Sequence, residues 1–365
     1  MSVSDLAPSH IRAIAPYQPG KPISELAREM GLEESSIIKL ASNENPLGVS
    51  PLAQRAIETA IQDLARYPDG NGFELKAALS RRFGVALDRI VLGNGSNDVL
   101  DLAARAFLTS DSEAVYSRHA FAVYPLAVQA MGARGIEVPA RDYGHDLDAM
   151  HAAVTGRTRI VFVANPNNPT GTWVPGAALE SFIASLPDHV LVVLDEAYNE
   201  YLPPAARTDT VAWLEKFPNL VITRTLSKVY GLAGLRVGYS FASREVADLM
   251  NRVREPFNVN SVALAAGAAA LGDDDFLRRS HELNLAGMKQ ITEGLIALGL
   301  TYIPSYGNFV SFEVRDAAGV FQRLLKAGVI VRPIASYGMP NHLRVSIGLE
   351  SENARFLESL AAAIR

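Results

Sequence analysis

The chain contains no cysteine, which excludes disulfides and thiolate metal ligands. It has little net charge, −5 at neutral pH, and so lacks the basic excess by which a protein holds nucleic acid. Long apolar runs are missing as well. The stretch from Val262 to Leu271 is the longest run of small apolar residues, and a bilayer span needs about 20. The polar N-terminus, Met1 to Tyr17, carries Pro8 and Pro16 and lacks the charged-then-apolar pattern of a secretion signal. The seven histidines show no His-Glu-x-x-His spacing, so no metal site is expected. These absences lead to the expectation of a soluble, cytoplasmic protein with small-molecule partners, no nucleic acid and no membrane.

What is present is a long chain, 365 residues with 48% hydrophobic residues, enough for two cores rather than one. From Arg89 onward, apolar stretches and helical periods alternate. Strands are expected at 89–93, 113–116, 136–138, 158–163, 190–194 and 220–224. Helices are expected at 97–107, 121–131 and 175–186, after earlier ones at 23–30, 51–65 and 73–83. Continuous apolar strands separated by helices predict an α/β fold with a mostly parallel sheet covered on both faces. Two long helices, 258–271 and 276–298, precede shorter strands at 309–313, 329–332 and 343–347 and a last helix at 352–364. The expected division is an N-terminal arm over 1–47 that joins the smaller unit, a large domain over 48–250, and a small α+β domain over 251–365.

Four motifs follow strands, where ligands of open α/β sheets bind. The apolar run Val190 to Leu194 ends in Asp195, a carboxylate costly to bury unless it meets a cation. Alone, Asp195 fits a helix cap or a structural ion pair equally well. Lys228 follows the strand ending near Arg224, among the hydroxyls of Thr225 and Ser227, with Arg236 close behind. A lone lysine is usually a solvated charge. Hydroxyls and a guanidinium beside it instead make a phosphate cradle, and a desolvated lysine becomes a nucleophile. Asn165-Pro-Asn-Asn-Pro-Thr-Gly171 is a proline-fixed loop that holds Asn168 rigidly. Leu92-Gly-Asn-Gly-Ser-Asn-Asp98 leads into a helix N-terminus, where Gly95, Ser96 and Asn97 can receive an anion.

Together with Leu40-Ala-Ser-Asn-Glu-Asn-Pro-Leu-Gly48, Arg66-Tyr-Pro-Asp-Gly70 and Asp195-Glu-Ala-Tyr198, these motifs resemble the class I/II aminotransferases of fold type I, within them the histidinol-phosphate branch. The resemblance runs over nearly the whole chain. It implies pyridoxal 5′-phosphate (PLP) as cofactor, carried on Lys228, which also moves the substrate proton. It makes Asp195 the partner of the cofactor's ring nitrogen and places Asn168 and Tyr198 on its phenolic oxygen. Gly95, Ser96, Asn97, Thr225, Ser227 and Arg236 fall around its phosphate, and Phe121 on its ring. Phe121 stands where relatives often carry tyrosine, and Asn97 where they often carry aspartate. Tyr67 corresponds to a tyrosine that reaches the cofactor of the neighbouring subunit, which implies a homodimer.

For the substrate, the same resemblance assigns Arg344, with Arg332, Tyr17 and Asn43 as further contacts. A guanidinium fork suits a carboxylate or a phosphate. The implied reaction moves the amino group of L-histidinol phosphate to 2-oxoglutarate, as in histidine biosynthesis. An aromatic amino-acid aminotransferase remains open, because apolar pockets discriminate flat rings weakly. A lyase that decarboxylates a phosphorylated amino acid remains open too, since the same lysine–aspartate pair serves both. A PLP-binding regulatory module is the third alternative, and such proteins typically carry a DNA-binding domain for which this pattern leaves no room.

Overall fold

The computed structural model describes residues 2–365. After a short strand β1 (Ile38–Lys39), seven strands build one sheet: β2 (Ile90–Gly93), β3 (Glu113–Ser117), β4 (Arg134–Val138), β5 (Thr158–Ala164), β6 (Leu191–Asp195), β7 (Leu220–Thr225) and β8 (Gly238–Phe241). Their order is β2-β8-β7-β6-β5-β3-β4. All neighbours are parallel except at β8, which runs antiparallel to both β2 and β7. The α/β expectation therefore holds, with one antiparallel strand that the alternation did not reveal.

The middles of β5 and β6 and the first half of β7 are apolar because both faces are covered, whereas the edge strand β4 is largely exposed. Side chains alternate across a strand. Ile160 and Phe162 of β5 pack with Leu191, Val193 and Val221 on one face. Val161 and Val163 pack with Val192, Leu194 and Ile222 on the other. Helix Ser96–Phe107 contributes Val99, Leu100, Leu102 and Ala103 to the first face. At the carboxyl ends of β6 and β7 stand Asp195 and Thr225.

A second sheet joins β9 (Tyr302–Ile303), β10 (Phe309–Glu313), β12 (Arg332–Pro333) and β13 (His342–Ser346) in the order β12-β13-β10-β9, all antiparallel. Its core contains Val310, Phe312, Leu343, Val345, Phe356 and Leu360, with Leu40 of the N-terminal segment added. The strand expected over 329–332 is two: β11 (Val329–Ile330) pairs in parallel with β1, and Arg332 belongs to β12 in the other sheet. Apolar patterning does not register a change of partner between adjacent residues. Helix Ser261–Ala270 carries Ala263, Leu264, Ala266 and Ala270 into the core of the seven-stranded sheet. We propose that the large unit extends through this helix and that the chain leaves it along Asp274–Ala297.

Candidate active site

The carboxyl ends of β5, β6 and β7 open onto a cavity of about 180 Å³. Asn168, Asp195, Tyr198, Thr225, Ser227, Lys228 and Arg236 line it from the large sheet's loops. Ser96 and Asn97 line it from a helix N-terminus, and Phe121 from the loop after β3. Tyr17, Asn43, Arg332 and Arg344 complete it from the N-terminal segment and the second sheet. Among the residues that carried no expectation, Ser42, Pro166, Ala197 and Tyr337 also face it.

Asp195 is buried, and its Oδ2 accepts a 2.8 Å hydrogen bond from the Tyr124 hydroxyl. Its Oδ1 accepts from the Ala197 N–H at 3.2 Å. Burial pushes its pKa up, and these two donors work against that. The next residue offers a contrast: Glu196, equally buried, meets Arg224 at 2.8 Å. Among the described residues Asp195 has no such cationic partner and lines the cavity instead.

Tyr124 went unread in the sequence. It is fully buried and stacks on Phe162 with centroids 4.8 Å apart. In an apolar helix such as Val123–Ala130 a tyrosine reads as core, and its ring is core. Only the position of its hydroxyl on Asp195 shows the second role.

Lys228 Nζ donates to the Ser42 carbonyl at 3.1 Å and lies 5.7 Å from the centroid of the Tyr198 ring. Burial lowers its pKa to about 8, and the guanidiniums of Arg344 and Arg236 push it the same way. Such an amine has a substantial neutral, nucleophilic fraction near neutral pH. Tyr198 accepts from Asn43 Nδ2 at 2.9 Å, and burial raises its pKa to about 12, so it keeps its proton.

The lining around Arg236 is built by close approach. Arg236 adopts φ +56°, a conformation unusual for a non-glycine residue, and donates to Ser227 Oγ at 3.4 Å and the Ala233 carbonyl at 3.1 Å. Gly95 lies directly beneath its guanidinium, and a Cβ there would come within 2.4 Å of Arg236 Nη2. Gly95 therefore makes room for Arg236. Thr225 Oγ1 accepts the Ser227 N–H at 3.1 Å and orders the turn before Lys228.

Arg332 and Arg344 are register partners across β12 and β13. Arg344 donates to Asn168 Oδ1 and, at 2.7 Å, to the Ala41 carbonyl, while its buried Nε has no partner among the described residues. Arg332 donates to the Gln18 carbonyl at 2.5 Å and the Tyr17 hydroxyl at 3.3 Å, with its guanidinium 5.4 Å from the Tyr17 ring centroid. Four cations thus line the cavity, each held by neutral oxygens, against the single carboxylate Asp195. Such a lining suits a ligand with two anionic ends.

Tyr67 lies apart from this cavity. It is 83% exposed and stacks on Phe257 with centroids 4.9 Å apart. Among the described residues there is no cluster of side chains that could hold a metal ion. Nor is any of their helices long and apolar enough to cross a membrane.

The protein is similar to known ones along its whole length. A histidinol-phosphate aminotransferase of Methylobacillus flagellatus is 66% identical over 99% of this chain and 98% of its own. A histidinol-phosphate aminotransferase 2 of Nitrosospira multiformis is 63% identical over 100% of this chain and 93% of its own. The crystal structure of the Sinorhizobium meliloti histidinol-phosphate aminotransferase, in complex with pyridoxal-5′-phosphate, superposes with a TM-score of 0.89 at 30% identity, covering 98% of this chain and 97% of that one. The model of the aminotransferase class I and II family matches residues 35–360, which contain Asp195, Lys228, Arg236 and Arg344. With the lysine, the unpaired carboxylate and the anion cradle in one cavity, this chain belongs to the class I and II aminotransferases.

Proposed function

We propose that this protein is a histidinol-phosphate aminotransferase that carries PLP on Lys228 and passes the amino group of L-histidinol phosphate to 2-oxoglutarate. The observation that carries this reading is the charge of the cavity: Lys228, Arg236, Arg332 and Arg344 against Asp195 alone. One phosphate belongs to the cofactor and the second anion to the substrate. The relatives at 66% and 63% identity, both histidinol-phosphate aminotransferases, support the choice of donor.

In this reading Ser96, Asn97, Thr225, Ser227 and Arg236 hold the cofactor phosphate, with Gly95 making room. Phe121 packs on its ring, Asp195 holds the proton on the ring nitrogen, and Asn168 and Tyr198 face the phenolic oxygen. Bound PLP supplies an electron sink that makes the substrate's Cα proton removable. Neutral Lys228 takes that proton as a general base and hands it back as an acid, and its lowered pKa makes both directions accessible. Arg344 and Arg332 bind the substrate's anionic end, a phosphate in one half-reaction and a carboxylate in the other. Tyr17 covers them. Tyr67, with its exposed ring, serves the cofactor of a second copy in a cytoplasmic homodimer.

The test is kcat/KM for L-histidinol phosphate and for phenylalanine, each with 2-oxoglutarate. A preference of about 100-fold or more for the phosphorylated donor is expected from a charge-assisted phosphate contact of about 3 kcal/mol. Equal use of phenylalanine would make the protein an aromatic aminotransferase. Release of carbon dioxide in place of an oxo product would make it a lyase.

A further inference from the structure

The segment from Ala41 to Asn45 touches three of the groups the reaction needs, Arg344, Lys228 and Tyr198. The Ala41 carbonyl holds Arg344, the Ser42 carbonyl holds Lys228, and Asn45 Nδ2 donates to the Val229 carbonyl and to Ser280 Oγ, both at 2.8 Å. Asn43 sits at the centre of this strap with φ +55° and is almost fully buried. Its backbone N–H donates to Ser346 Oγ at 2.8 Å, so the Ser346 hydroxyl is free to donate onward, to Asn43 Oδ1 at 2.9 Å. That bond fixes which end of the Asn43 amide is oxygen and leaves the NH2 end for the Tyr198 hydroxyl oxygen at 2.9 Å.

A hydroxyl that accepts from an amide must send its own proton elsewhere. Among the described residues the Tyr198 hydroxyl has no protein acceptor, and what it faces is the cavity. We propose that Asn43 is a positioning residue for the reaction: its amide occupies the Tyr198 oxygen as donor and thereby commits the Tyr198 proton to an acceptor oxygen of the ligand in the cavity. Each polar end of Asn43 is bonded to protein, Oδ1 to Ser346 and Nδ2 to Tyr198, so its effect on the reaction runs through Tyr198. The inference rests on the reading that Tyr198 faces the phenolic oxygen of PLP.

A committed donor on that oxygen stabilises its anionic form and lowers the pH at which the absorbance of the PLP-loaded protein titrates. The experiment is that spectroscopic titration on the loaded protein and on Tyr198→Phe, Asn43→Gly and the double variant. Glycine is chosen because it accepts the positive φ of residue 43 without strain. Tyr198→Phe should raise the titration midpoint by about one pH unit. Asn43→Gly should raise it by part of that, and the double variant should match Tyr198→Phe alone, because an effect relayed through one hydroxyl vanishes with it. If Tyr198→Phe leaves the midpoint unmoved, the placement of Tyr198 on the cofactor is wrong. If Tyr198→Phe moves it while Asn43→Gly does not, or while the two shifts add, Asn43 is structural and the proposal fails. Should Asn43→Gly not fold, Ser346→Ala removes the bond that fixes the amide's orientation and is held to the same pattern.

Discussion

One set of cavity groups, Asp195, Lys228, Arg236 and Ser96, projects from strand ends and a helix N-terminus of a single seven-stranded sheet. The other set, Arg332 and Arg344, stands on two short strands of a separate sheet and is steadied by Tyr17, Gln18 and Ala41 from the far end of the sequence. The first set stands on its own unit's core, with Lys228 alone among these four also bonded to the N-terminal segment, at Ser42. The second exists only when the N-terminal segment, the second sheet and the Asn168 loop are assembled together. Chemistry common to a family belongs on the first kind of support and substrate choice on the second, because short strands and segments can change without disturbing the buried sheet.

The largest effect is expected at Lys228. Lys228→Ala removes the nucleophile and the proton carrier, and kcat should fall by about 10⁴-fold. The thermal unfolding midpoint should stay close to that of the parent protein, because burying this amine is a cost rather than a support to the fold. A variant that kept a tenth of the parent's kcat would remove Lys228 from the reaction and undo the assignment of the first set.

Next come the two arginines. Replacing either by lysine keeps the charge and loses the fork, which for a buried anion contact is worth about 3 kcal/mol, or about 100-fold in kcat/KM. Arg332→Lys should act almost wholly through KM for the phosphorylated donor and leave PLP affinity as it was. Arg344→Lys should disturb both, because Arg344 also grips Asn168 of the cofactor loop. Identical behaviour of the two variants would erase the distinction drawn between them.

The two sets also differed in how far the sequence revealed them. Asp195 and Lys228 were legible because each interrupts or closely follows an apolar strand, so chemistry and periodicity mark the same place. Arg332 was legible as a second contact for the same anion as Arg344 but not as its cross-strand partner, since Val329 to Arg332 reads as one strand and the change of sheet after Ile330 leaves no trace in an apolar pattern. Tyr124 was invisible for the opposite reason, its ring satisfying the helix pattern completely. The long-range bonds of Asn43 to Tyr198 and Ser346 join residues far apart in sequence, and only the assembled fold could show them.

Tyr124 gives a smaller and sharper test. Tyr124→Phe keeps the stacked ring and removes one hydrogen bond to a carboxylate, worth about 1.5 kcal/mol or about tenfold. PLP affinity should weaken by about that factor while the KM for the donor is unchanged. A change in KM without a change in PLP affinity would move Tyr124 from the cofactor set to the substrate set.

The smallest effect concerns pH and joins the two sets. Loading of PLP onto the apoprotein needs the neutral Lys228 amine, whose pKa is about 8. Below that pH each unit removes about nine-tenths of the neutral form, so the loading rate should climb about tenfold per unit and level off above it. The fall in pKa comes first from burial and next from the Arg344 guanidinium, a member of the substrate set. Removing that charge favours protonation of the lysine, so Arg344→Gln should move the loading midpoint upward and slow loading at neutral pH. Arg332 is not among the chief charges that depress Lys228, so Arg332→Gln should move the midpoint less than Arg344→Gln does. Stopped-flow absorbance across pH 6 to 10 on the three proteins decides it. A midpoint unmoved by Arg344→Gln would mean that burial alone sets the lysine, and the two sets would then be electrostatically independent.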